Sequence, residues 1–250
     1  MPSNKKFSSL NFESFRQLAS DESLSQYEQI GFPDSYRKGF EEIIFTDILA
    51  KLPSLLLEKK RVLDIGPGCS GLPNFLINIC RENDHEIWLI DSQEMLDHIS
   101  DASFIYKYPG LYPTDCHGFI ESMRGTLDVI LAYSVLHYVL IDTAFFRFLD
   151  SSISLLAPGG LFLIGDIPNI SKRKRFFSSE TGIRFHQQFM QTTDCPVIEF
   201  NRIEEDQIDD AVIFSILQRA RMAGFDAYVL PQNPALPMSN RREDILIIRP

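Results

Sequence analysis

The sequence predicts an α/β fold built on a mostly parallel sheet. From Arg61 onward, short apolar runs alternate with segments of helical spacing. The connections between them are short, which implies right-handed crossovers between parallel neighbours. The chain then closes on two apolar runs, "DAYVLPQ" and "DILIIRP", with no helix between them, so that last pair must be antiparallel.

The elements follow in order. Residues 1–58 read as helical, without strand rhythm. "SDESLSQYEQIGF" opens on cap-like Ser20 and Asp21. "FPDSYRKGFEEIIFTDILAKL" starts after Pro33 with Asp34 or Ser35 as candidate N-cap, and carries an apolar stripe of Phe40, Ile43, Ile44, Ile48 and Leu49. "RVLDIG" is the first strand. The helix "LPNFLINICRE" tolerates Pro73 in its first turn and shows Leu72, Phe75, Leu76 and Ile79 on one face. "EIWLID" is the second strand, "SQEMLDHI" the second helix and "SFIYKY" a short third strand. "LDVILAYSVLHYV" begins as a fourth strand and turns near Ser134. "DTAFFRFLDSSISLLAPGG" reads as a helix ending at Pro158-Gly159-Gly160, before a fifth strand, "GLFLIGDI". Residues 168–203 read as an irregular polar insertion, and "EEDQIDDAVIFSILQRARMAGF" as a helix stopped by Gly224. The domain expectation is an N-terminal helical lid or extension at 1–58, then a ligand-binding domain at 59–250 with 168–203 recognising the substrate. The N-terminal helices equally suit a homodimer interface.

At 250 residues, 44% hydrophobic and 23% charged, the chain can bury a full core. A net charge of −10 with no long basic face argues against a nucleic-acid acceptor. Cys69, Cys80, Cys116 and Cys195 are widely spaced, with no zinc pattern, which suits a reducing compartment. The start, "MPSNKKFSSLNFESF", lacks an apolar stretch of signal-peptide length, and no run is long enough for a membrane span. The expected location is therefore cytoplasmic, with no membrane partner and no metal.

The chemistry begins at "RVLDIGPGCSGLPNFL". Gly66, Gly68 and Gly71 have the G-x-G-x-x-G spacing of a dinucleotide turn, where glycines let a ligand approach the backbone. Asp64 stands two residues before the first glycine, where a dinucleotide strand is normally apolar. A carboxylate there suits an ammonium group or organises water near it, or else serves as a cap, just as Asp91 could cap the helix that follows it. Asp91, twenty residues beyond Gly71, ends the second strand, where an acid accepts hydrogen bonds from ribose hydroxyls.

Together "VLDIGPG", Asp91, "LDVILAYSVLHYV" and "LLAPGGLFLIGD" resemble the class I S-adenosylmethionine-dependent methyltransferases over residues 60–250. The resemblance implies a Rossmann-like three-layer α/β/α sandwich, with a seven-stranded sheet of order 3-2-1-4-5-7-6 and strand 7 antiparallel. It implies S-adenosyl-L-methionine as cofactor, held by Asp64, Gly66, Pro67, Gly68, Asp91, Ser92, Tyr133 and Ser134. The third glycine departs from the commoner G-x-G-x-G pattern by one place, and the usual acidic adenine contact after the third strand is not evident.

The acceptor is expected to be a small or medium-sized molecule, O-methylated and sugar-like or anionic. His137, Asp166 and His186 are the candidate general bases. For His137 a structural role stands beside the catalytic one, and for Asp166 a turn-capping role. Tyr133 either packs or offers its face to a sulfonium. Tyr36 and Arg37 from the N-terminal helices are candidate acceptor contacts, and Lys172, Arg173 and Arg175 of "SKRKR" read either as a solvated loop or as an anchor for a phosphate or carboxylate of the acceptor. His85 and His98 read as surface positions, and His117 stays open. An NAD(P)-dependent oxidoreductase or epimerase remains the rival, on the literal glycine spacing, though no Tyr-x-x-x-Lys pair supports it. A non-catalytic cofactor-binding member of the same fold is the third reading.

Overall fold

A computed structural model describes residues 10–202 and 204–250. The part of the N-terminal helical expectation on residues 1–9, and Ile203 of the insertion, lie outside the described residues.

The strands are β1 (Arg61–Ile65), β2 (Glu86–Asp91), β3 (Ile105–Pro109), β4 (Leu127–Tyr133), β5 (Leu156–Pro168), β6 (Asp226–Pro231) and β7 (Arg242–Ile248). They form one seven-stranded sheet of order β3-β2-β1-β4-β5-β7-β6. β1 to β5 pair in parallel, whereas β7 runs antiparallel to both β5 and β6. The expected topology is the observed one.

Successive residues of a strand face opposite sides, so β1 feeds two cores. Leu63 and Ile65 pack with Phe119, Phe148 and Phe162 on one face. Val62 packs with Ile48, Leu76 and Ile87 on the other. Burial on both faces explains why the central strands read as nearly continuous apolar runs.

The N-terminal region forms α1 (Phe12–Ala19), α2 (Gln26–Gln29), α3 (Asp34–Arg37) and α4 (Glu41–Lys51). Ser20 closes α1 instead of opening a helix. The capping box belongs to Ser25 and Glu28, an S-x-x-E spacing present in the sequence. Asp34 begins α3 after Pro33, and its carboxylate accepts from the Ser25 hydroxyl at 2.5 Å.

In α5 (Leu72–Glu82) the buried stripe is Pro73, Leu76, Ile77 and Cys80, with Leu72, Phe75 and Ile79 on its flanks. Next come α6 (Gln93–Leu96), α7 (His117–Met123), α8 (Leu136–Asp142) and α9 (Phe145–Leu155). α9 stops at Leu155, five residues before the expected end. Leu156 already pairs with Leu127, so Pro158 to Gly160 belong to an irregular start of β5.

The insertion is irregular only in its second part, residues 191–202; the first part folds into α10 (Ile170–Phe177) and α11 (Glu180–Met190), capped by Asn169 and Ser179. Its low hydrophobicity hid them, because Phe176, Phe177, Phe185 and Phe189 pack mainly on one another. α12 (Asp210–Met222) completes the layer. No helix among the described residues is long and apolar enough to cross a membrane.

Candidate active site

Asp64 lies on the central strand, between Leu89 of β2 and Leu131 of β4. It is only 5% exposed, and no hydrogen bond or ion pair reaches its carboxylate among the described residues. Burial, reinforced by nearby Asp91, pushes its pKa up to about 8.

The turn after β1 needs its glycines. Gly66 and Gly68 have φ of 71° and 68°, in the left-handed region. A Cβ on Gly66 would lie 2.7 Å from Val135 Cγ2, and one on Gly68 would lie 2.8 Å from Ile30 Cγ2. The Gly68 N–H donates to Asp91 Oδ2 at 3.0 Å, and the Ser92 N–H to Asp91 Oδ1 at 2.7 Å. Asp91 therefore holds the glycine turn and the start of α6, and an ionised carboxylate still has lone pairs for ligand hydroxyls. Burial raises its pKa to about 6 despite those two N–H donors. The Ser92 hydroxyl is spent as the α6 N-cap, accepting from the Met95 N–H at 3.2 Å.

The third glycine has a different use. The Leu72 N–H at the start of α5 donates to Glu41 Oε1 at 3.1 Å, and a Cβ on Gly71 would lie 2.4 Å from Glu41 Oε2. Gly71 makes room for a carboxylate of this chain at the helix start where a dinucleotide fold receives pyrophosphate. A negative charge already stands there, so the spacing that favoured a dinucleotide answers to α4.

The cavity runs from Gly66, Pro67, Gly68 and Asp91 to Leu111 and Tyr112. Phe12, Phe15, Ile30 and Phe32 of the N-terminal region also line it. That region is tied down over the cavity at several points. Arg16 meets Glu94 through Nε and Nη2, the Phe12 N–H donates to Asp142 at 2.8 Å, and Phe15 packs edge-on to Tyr138 at 4.6 Å.

Ser134 and Asp166 follow β4 and interrupt β5, with left-handed φ of 61° and 58°. A register shift between Ile164 and Ile167 turns Asp166 inward. Such backbone costs about 1–3 kcal/mol per residue and concentrates where a site requires it. Asp166 gathers the Ser134 hydroxyl, Arg37 at 3.4 Å, Arg242, and Gln232 at 3.2 Å. Its own N–H donates to Asp244 at 2.8 Å, and Asp244 meets Lys51 at 2.6 Å. Burial opposes the Asp166 charge, but Arg242 and Arg37 hold its pKa below the ordinary value.

Arg37 is 4% exposed, and its guanidinium lies 4.3 Å from the Phe32 centroid and 5.6 Å from that of Tyr133. The cation on the Tyr133 face is thus a side chain of this protein. His137, on α8, has a buried Nδ1 without a partner. Burial, then the Arg242 charge, push its pKa down to about 3.

The remaining candidates divide. Lys172 donates to the Arg242 carbonyl at 2.5 Å, and Arg175 pairs with Asp210, so both are engaged in holding the fold. Arg173 and His186 lie against Phe177, and Tyr36 beside Arg241, outside the cavity. His85 corrects the surface expectation. It is 1% exposed, with Nδ1 accepting from the Lys60 N–H at 2.9 Å and Nε2 at 3.1 Å from the Leu55 carbonyl. His98 and His117 are exposed, and the four cysteines are free. Sequence reasoning missed Arg242, Gln232 and Glu41. The Arg241-Arg242 pair before the last strand was the visible signal.

No protein-family model matches the sequence, and no curated protein is significantly similar to it. Solved structures do resemble the fold. An S-adenosylmethionine-dependent methyltransferase from Aquifex aeolicus superposes with a TM-score of 0.53 at 12% identity, over 97% of this chain and 100% of its own. The plantazolicin methyltransferase BamL, solved with SAH and a triazolic desmethylPZN analog, gives 0.55 at 13%, over 95% and 96%. An O-methyltransferase family protein from Burkholderia thailandensis gives 0.55 at 15%, over 99% and 65%. The fold is that of the class I S-adenosylmethionine-dependent methyltransferases.

Proposed function

We propose that this protein is an S-adenosylmethionine-dependent methyltransferase that O-methylates a small or medium-sized anionic acceptor. The observation that carries this reading is Asp64, a buried carboxylate without a partner, set beside Asp91, which lines a cavity whose neighbouring helix start is already filled by Glu41. The donor set suits a ligand with an ammonium group and a ribose, and it repels a pyrophosphate. When bound, the cofactor supplies a sulfonium methyl already activated for in-line displacement, so positioning provides much of the catalysis.

In this reading Asp64 receives the ammonium and Asp91 the ribose hydroxyls. Gly66 and Gly68 permit close backbone approach, and the N-terminal roof excludes water. The acceptor enters toward Ser134 and Asp166. Neither candidate base there is strong, because His137 is pushed down to about 3 and Asp166 is held low by Arg37 and Arg242. An acceptor oxygen already ionised when it binds needs no such base, and the arginines at this end of the sheet favour it. Free thiols support a reducing, cytoplasmic setting.

The test is calorimetry with S-adenosylmethionine, S-adenosylhomocysteine and NADH on the wild type and Asp91→Ala. The first two should bind in the micromolar range and lose roughly 10–100-fold in the variant, as charged hydrogen bonds are removed. Binding of NADH alone would overturn the reading.

A further inference from the structure

Outside the cavity, two arginines converge on one aromatic ring. The guanidinium carbons of Arg173 on α10 and Arg241 just before β7 lie 5.5 and 5.9 Å from the Phe177 centroid. Neither has a carboxylate within ion-pair distance among the described residues, although the cations around them do. Arg175 has Asp210, Lys174 has Glu204 at 3.0 Å, and Arg242 has Asp166.

Arg241 is half-buried. Loss of water lowers its pKa, Tyr36 opposes that, and Arg242 and Arg173 add like-charge repulsion. Glu204, which pairs with Lys174, acts on Arg173 only from beyond ion-pair distance, and an anion beside the two arginines offsets the repulsion that remains.

The arrangement is built, not left loose in solvent. Asn169 caps α10 and donates to Asp210 at 2.8 Å and Glu243 at 2.6 Å, while its N–H donates to the Arg241 carbonyl at 3.1 Å. Lys172 grips the next carbonyl, that of Arg242. The start of α10 is thereby fastened to the segment carrying Arg241. The residue next to Arg241 leads to the Asp166 cluster: Arg242 reaches Asp166, and Phe32 packs under both Arg242 and Arg37, at 5.8 and 4.3 Å.

We infer that Arg173 and Arg241, gathered at the Phe177 ring, form a clamp for a carboxylate or phosphate on the acceptor, away from the atom that is methylated. The clamp fixes which acceptors are accepted. Its role as an acceptor site rests on the methyltransferase reading, whereas its binding of anions does not.

The test follows the Nε–H signals of Arg173 and Arg241 by NMR, titrating inorganic phosphate and, separately, benzoate at constant ionic strength. The expected result is a saturating shift with millimolar affinity, weakened about 5–20-fold by Arg173→Gln and by Arg241→Gln, with two directed charged hydrogen bonds at stake. Arg184→Gln, on exposed α11, should leave it unchanged. The tighter of the two probes names the anion class. Shifts that stay linear with concentration, or that survive both substitutions, overturn the clamp. Arg173 is exposed, so its variant should fold even if the Arg241 variant does not. A parallel titration of S-adenosylhomocysteine, which should be unaffected by these substitutions, tells failure of the clamp from failure of the cofactor reading.

Discussion

Replacing Asp64 with asparagine should strengthen the fold while weakening the ligand site. The carboxyl titrates near 4 in the unfolded chain and near 8 in the folded one. For an acid whose pKa is raised by folding, the unfolded state releases its proton first. Stability from this group is then whole below about pH 4 and is lost as the pH climbs toward 8. At pH 7 that loss reaches at most about 4 kcal/mol, which Asp64→Asn should partly recover as a higher melting temperature.

Ligand affinity should run the other way. If only the ionised carboxylate receives the ammonium of S-adenosylhomocysteine, roughly 1 molecule in 100 is ready at pH 6 and about half are ready at pH 8. Affinity in the wild type should then rise about 50-fold across that range, with Asp91 contributing about a further factor of 2. Calorimetry at pH 6, 7 and 8, paired with thermal denaturation, reads both effects. In Asp64→Asn the rise should shrink to the small Asp91 contribution. A wild-type affinity flat from pH 6 to 8, together with a melting temperature lowered by the substitution, would refute the assignment of Asp64 as a buried, unpaired acid.

Two further outcomes follow from the same contacts. Gly68→Ala should cost about 1–2 kcal/mol for its left-handed backbone, plus about 1–3 kcal/mol for crowding Ile30. In denaturant melts, an Ile30→Ala background should remove only the second part. Arg37→Ala should cost about 1–3 kcal/mol, because Arg242 and Gln232 still serve Asp166. It should also quicken proteolysis within residues 10–40, and Arg37→Lys should fail to restore protection, since an ammonium lacks the planar fork.

The sheet was legible in the sequence because its signals are local. Strand rhythm, helical spacing and glycines after a buried strand each reflect the chemistry of neighbouring residues. Even the antiparallel end could be read, from the missing crossover helix between the last two strands. Asp64, Gly66, Gly68 and Asp91 were legible as candidates for the same reason: neighbouring strand ends and the turns after them come to one place.

What depended on distant residues was decided only by the tertiary structure. Gly71 matched a dinucleotide spacing in the sequence, yet its role comes from Glu41, thirty residues earlier in the chain. The basic run from Lys172 to Arg175 looked like one patch, but Arg242, Glu204 and Asp210 engage three of its members and leave Arg173 to Arg241. His137 on α8 and Asp166 in β5 lie beyond what local pattern could assign, because burial and two arginines set their protonation. Sequence fixes which groups a strand end presents, but the partners that set their charge arrive from elsewhere in the chain, and only folding brings them within reach.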